Sequence, residues 1–121
     1  MSDRLAPVRV LPEAGTLGEG RTTRFTVLLD GVSQDALALR WKGVLHAYVN
    51  RCRHQGLPLD FGDGHVFDEA YDAIVCCHHG ARYRPDTGEC SGGPCMGGRL
   101  TVLVLESRGA ELWCVDVRGR G

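Results

Sequence analysis

At 121 residues the chain has room for one domain with a real core and not for two. Its 43% apolar and 24% charged content is that of an ordinary globular protein, and a net charge of -1 argues against a nucleic-acid partner, whose phosphates need a basic face. No apolar run approaches the roughly 20 residues that a bilayer core requires, and Met1-Ser2-Asp3-Arg4 opens no basic-then-apolar leader. The expectation is a cytoplasmic protein with no membrane partner.

The predicted elements are strands. Phe25, Val27 and Leu29 alternate with Thr26, and Asp30-Gly31 supplies a hairpin turn. Leu37, Leu39 and Trp41 alternate with Ala38 and Arg40 up to the next turn signal, Lys42-Gly43, and a third strand follows from Val44 to Val49. Near the end, Leu100–Leu105 is apolar and rich in β-branched residues, and Glu111–Val117 alternates Trp113, Val115 and Val117. Ser107-Arg108-Gly109-Ala110 joins these two as a hairpin. No window of helical length carries a 3.6-residue period, and 17 glycines are scattered among short strands. The pattern predicts an all-β protein, a sandwich or barrel of antiparallel sheets, as a single domain over 1–121. The region 50–98 differs: it is poor in strand pattern yet holds five of the six cysteines and four of the five histidines. A loop-rich insert on a β scaffold is where function usually sits.

Two ligand pairs lie in that insert. Cys52-Arg53-His54 is a C-x-H, and Cys76-Cys77-His78-His79 contains a C-x-x-H, with 21 residues between His54 and Cys76. Each pair mixes one thiol with one imidazole and is followed at once or shortly by glycine, Gly56 and Gly80. Structural zinc accepts the same residue types, but its modules pair cysteine with cysteine and histidine with histidine. Two mixed pairs suit a two-iron cluster in which thiolates hold one iron and neutral imidazoles the other. Replacing two thiolates by neutral ligands makes an added electron less costly and raises the reduction potential.

At these residues the chain resembles the Rieske family. Cys52-Arg-His54-Gln-Gly56-Leu-Pro58-Leu59 is similar to the first cluster loop of bacterial Rieske ferredoxins, and Cys76-Cys-His-His79-Gly80-Ala-Arg-Tyr83, with Thr87-Gly88-Glu89, to the second. Ser91-Gly92-Gly93-Pro94 is similar to the proline-bearing loop that covers the cluster. The resemblance implies a Rieske-like fold with a small cluster-binding subdomain, here about 50–98. It also implies one [2Fe–2S] cluster held by Cys52, His54, Cys76 and His79. The register of the second pair stays open by one position, Cys76 fitting C-x-x-H and Cys77 only C-x-H. The segment 65–73 makes the spacing between the loops longer than is common in these ferredoxins. High-potential members carry an inter-loop disulfide whose cysteines would fall at Leu57 and His78, and a serine at Ala81; neither feature is present, so a low-to-intermediate potential is implied. Tyr83 keeps a tyrosine whose hydroxyl can raise the potential through a ligand sulfur.

By the same resemblance the function is one-electron carriage from a flavin-dependent ferredoxin reductase to a terminal oxygenase, with no catalytic residues of its own. The alternative is a small non-catalytic subunit of a larger oxidoreductase such as assimilatory nitrite reductase. Substrate oxygenation would need a second iron held by two histidines and a carboxylate in a further large domain. Cys77 and Cys114 are read as free thiols, and His46 and His65 as structural and solvated residues respectively. Cys90 and Cys95 flank the covering loop within bridging reach, although a reducing cytosol disfavours a disulfide. Arg53, Arg82 and Arg84 are candidates for a docking edge near the cluster, beside the simpler reading that they are solvated.

Overall fold

The computed structural model describes residues 5–51, 66–76, 80–93 and 98–118. Its larger sheet uses β1 (Leu5–Ala6), β2 (Val8–Leu11), β3 (Thr22–Leu29), β4 (Val32–Trp41), β5 (Val44–Val49), β10 (Val102–Arg108) and β11 (Glu111–Arg118). The smaller uses β6 (Phe67–Asp68), β7 (Ala73–Val75), β8 (Arg82–Tyr83) and β9 (Cys90–Gly92). The large sheet runs β1-β3-β4-β5-β10-β11-β2, antiparallel at every pairing. Because β1 and β2 are almost consecutive in the chain and β1 also touches β11, the sheet nearly closes on itself. The expected all-β architecture is confirmed. Among the described residues no helix is long and apolar enough to cross a membrane.

The turns follow from residue chemistry. Asp30-Gly31 and Lys42-Gly43 both have positive φ at each residue (53° and 81°, 52° and 78°), the conformation of a two-residue hairpin turn whose twist matches the flanking strands. They fix the register from Thr22↔Leu39 to Leu29↔Val32 and from Ala36↔Val49 to Trp41↔Val44. The C-terminal hairpin turns more tightly than its sequence suggested. Strands β10 and β11 remain paired as far as Arg108↔Glu111, leaving only Gly109-Ala110 as the turn.

Strands β4 and β5 are buried on both faces, and that organises the molecule. Ala36, Ala38, Ala47 and Val49 point into the large sheet's core with Leu5, Val27, Leu29, Leu103 and Cys114. Leu37, Leu39 and Tyr48, on the opposite face by the period of two, form a second core with Phe67, Ile74, Cys76, Ala81, Tyr83 and Leu100. Small residues on one face and large ones on the other let a single pair of strands serve two cores. Burying each Leu or Ile here contributes about 1.5–3 kcal/mol.

The small sheet, in order β6-β7-β8-β9, comes entirely from the chain between β5 and β10, which are neighbours in the large sheet. It is fastened to the large sheet by the Tyr48 hydroxyl, which donates to Pro85 O at 2.7 Å, and by Trp41 Nε1, which donates to Asp72 Oδ1 at 2.9 Å. Gly88, at φ 77°, lies flat against the Tyr48 ring: a Cβ there would be 2.8 Å from Cε1.

Candidate metal centre

Strand β7 delivers Cys76 to a turn that returns as β8. Cys76 N donates to Ala81 O at 2.8 Å and Gly80 N to Cys76 O at 3.0 Å, so both ends of 76–81 are tied together. Gly80, at φ 70°, makes the reversal that an L side chain would resist. Cys76 is 1% exposed and in no disulfide, and Ala81 and Tyr83 beside it are fully buried. A reduced thiol in a dry, apolar wall is a soft sulfur donor shielded from water, and it fits an iron–sulfur ligand. Cys52, His54 and His79, the other ligands predicted from sequence, lie outside the described residues, as do Cys77, His78, His65, Arg53, Pro94 and Cys95.

The covering segment closes on this turn through two adjacent glycines that behave differently. Gly93, at φ 80°, sits on backbone: a Cβ there would lie 2.9 Å from Gly80 O and 3.0 Å from Ala81 Cα. Gly92 is paired directly with Arg82 across β8 and β9, and the guanidinium occupies the space a side chain would take, with Cζ and Nε 2.9 Å from an added Cβ. The base of the segment is held by Cys90 N donating to Gly98 O at 2.9 Å, Leu100 N to Gly88 O at 2.8 Å, and the isolated bridge Glu89↔Arg99.

Several side chains depart from the sequence reading. Cys90 is disulfide-bonded, against the preference for free thiols; of the other described cysteines, neither Cys76 nor Cys114 is in a disulfide. Cys114 is the inert small residue expected, its thiol pushed up to about 11 by burial. Arg84 is held by Asp86 through two bonds, Nε–Oδ1 at 3.1 Å and Nη2–Oδ2 at 3.0 Å, which hold that carboxyl below its usual range. Arg82 lies over the Tyr71 ring, 4.7 Å from its centroid. His46 is half-buried on β5; desolvation lowers its pKa, and nearby Asp86 opposes the shift. The sequence reading missed Tyr71 and Asp72 altogether. Their only signal was the extra length of 65–73, within which 67–72 form β6 and the β6–β7 turn.

A family model described as the Rieske [2Fe-2S] domain matches residues 9–107. The chain belongs to the Rieske family. It therefore carries one Rieske-type [2Fe–2S] cluster. Among solved structures it is similar to the ferredoxin of carbazole 1,9a-dioxygenase from Nocardioides aromaticivorans IC177, at 27% identity and TM-score 0.71, covering 92% of this chain and 98% of that one. It also matches a chain in a complex of reduced oxygenase and oxidized ferredoxin of carbazole 1,9a-dioxygenase, at 22% identity and TM-score 0.73, over 94% of this chain and 97% of that one. The terminal oxygenase of carbazole 1,9a-dioxygenase from Novosphingobium sp. KA1 contains the same fold, at 20% identity and TM-score 0.67, over 97% of this chain but 31% of that one. Comparison with curated proteins found no significant match.

Proposed function

We propose that this Rieske protein is a one-electron carrier in which Cys52, His54, Cys76 and His79 hold the cluster. It would take electrons from a flavin-dependent ferredoxin reductase and deliver them to a terminal oxygenase. The observation that carries the reading is the buried, reduced Cys76 at the head of the tied turn 76–81, at the residue where the second ligand pair begins. The match to an oxygenase ferredoxin over nearly the whole of both chains supports the direction of transfer. When bound, the cluster supplies one reversible electron per turnover. The protein residues supply a dry wall (Cys76, Ala81, Tyr83), a backbone cover (Gly93 on Gly80), and an anchor to the large sheet (Tyr48 on Pro85). A weak redox encounter needs only a small, partly polar contact, because the carrier must leave quickly.

The test mixes the purified protein with a flavin-dependent ferredoxin reductase and NADH, follows bleaching of the visible spectrum, and then offers the reduced protein to an oxygenase from the same genome. Reoxidation coupled to turnover is expected. Reduction without exchange, together with co-purification in fixed ratio with a large enzyme, would replace the carrier by a fixed subunit.

A further inference from the structure

We infer that Arg82 is a positioning residue that sets the reduction potential, a positive charge parked beside the second ligand turn by Tyr71 and Gly92. The inference rests on the reading that the turn 76–81 holds the cluster.

Three features place the charge. Arg82 is paired with Val75 on one side and Gly92 on the other, so it lies in the middle of the small sheet, one strand residue beyond Ala81. Its guanidinium is seated over Gly92, and the next residue, Gly93, rests on Gly80 and Ala81. The same guanidinium stacks on the ring of Tyr71, which reaches it from the β6–β7 turn although the residue is 60% exposed. That turn is itself fixed, since Asp72 accepts from Trp41 Nε1 and Asp68 Oδ1 accepts from Ala70 N at 2.8 Å. The extra length of 65–73 thus has a use: it brings an aromatic face to Arg82.

The chemistry follows from sign. Accepting one electron would add one negative charge at the cluster that Cys76 is proposed to help hold, and a cation held near that residue's turn stabilises the reduced form. An arginine keeps its charge at any working pH, and its planar group stacks on an aromatic face where a lysine cannot do so equally well. Between Arg53 and Arg82 the sequence has no lysine or arginine but has Asp60, Asp63, Asp68, Glu69 and Asp72. Arg82 is therefore the first lysine or arginine along the chain after that anionic stretch.

The experiment measures midpoint potential by redox titration of the holoprotein, with the paramagnetic spectrum of the reduced state as a check on the ligand set. At a fixed poise, Arg82→Gln is expected to shift the ratio of reduced to oxidised protein about threefold towards oxidised, the effect of one partly screened charge. For one electron that is ~28 mV, at 59 mV per tenfold. Arg82→Lys should recover most of the shift, because it keeps the charge. Tyr71→Ala, at an exposed position, and Gly92→Ala, which displaces only the end of a flexible side chain, should each move the potential the same way with Arg82 present. Tyr71→Phe should not. High salt should shrink every difference. Equal potentials for wild type and Arg82→Gln, or equal losses for Arg82→Gln and Arg82→Lys, overturn the inference while the cluster reading stands. A wild-type protein that assembles no cluster overturns that reading first.

Discussion

Gly92 and Gly93 are neighbours, yet alanine should act very differently at the two. At Gly93 the residue must keep φ near 80°, which costs an L side chain about 1–2 kcal/mol. Its Cβ also meets Gly80 O at 2.9 Å and Ala81 Cα at 3.0 Å, main-chain atoms of a turn tied by two hydrogen bonds. Overpacking of that kind costs about 1–3 kcal/mol. Gly93→Ala should therefore destabilise by about 2–5 kcal/mol, a fall in Tm of roughly 8–20 °C for a chain of this length. Gly92 has no positive φ, and only the Arg82 guanidinium stands in its way. That group can swing out, and alanine in a strand recovers some backbone entropy, so Gly92→Ala should cost under about 1 kcal/mol. Thermal unfolding of both holoproteins, followed by far-ultraviolet circular dichroism, gives the comparison. The rate at which visible absorbance is lost should also rise for Gly93→Ala, whose covering segment can relieve the clash only by lifting off the ligand turn. Two variants within about 1 kcal/mol of each other would refute the reasoning, because a yielding turn at Gly80 could not then be the seat of the cover.

Two further outcomes are expected. Cys76→Ser should abolish the iron and sulfide content while Cys77→Ser leaves it intact; the reverse moves the ligand by one residue. For pH, His46 has a folded pKa below its unfolded 6.5, because burial favours the neutral ring, so the unfolded chain binds more protons as pH falls below 6.5. Stability is therefore full above that value and is lost as pH drops through the folded pKa. The fall in urea midpoint between pH 7.5 and 5.5 should be smaller in His46→Gln than in wild type, and equal falls would exclude His46 as the cause.

Much of the large sheet was legible because β4 and β5 are long enough to show a period of two and meet at Lys42-Gly43, where the glycine signals a tight turn. Strand β2 also alternates, Val8 and Val10 against Arg9, but four residues are too few to stand out before a pairing partner is known. The small sheet was illegible for the same reason. Its strands have two or three residues, and their order is fixed by the ties at Cys76–Ala81 and Gly88–Leu100 and not by pattern. Cysteine and histidine spacing marks the proposed ligand pairs, since cluster chemistry restricts residue type and separation at once. It gave nothing on Tyr71, whose value depends on a contact from the β6–β7 turn to Arg82 on β8. At Cys90 a rule about compartments opposes local proximity, and Cys90 is disulfide-bonded.

The two-faced β4–β5 pair explains why so small an insert can hold a well-defined site. Sheets of two- and three-residue strands do not stand alone in water. Here Leu37, Leu39 and Tyr48 give the small sheet a rigid floor, and the floor is stiff because the opposite faces of the same strands are packed into the large core. Tyr48 then reaches across to Pro85, and Gly88 lies on its ring, so the β8–β9 connection, which lies between the proposed second ligand turn and the covering segment, is referenced to one aromatic side chain. Ligands held by a supported shell change position little when charge changes, which is what rapid electron exchange demands. The alanines at 36, 38 and 47 matter to the site for this reason, although they face away from it. A larger residue there would press the floor outward, and the disturbance would reach Cys76 through Tyr48 and Ile74 rather than through any direct contact.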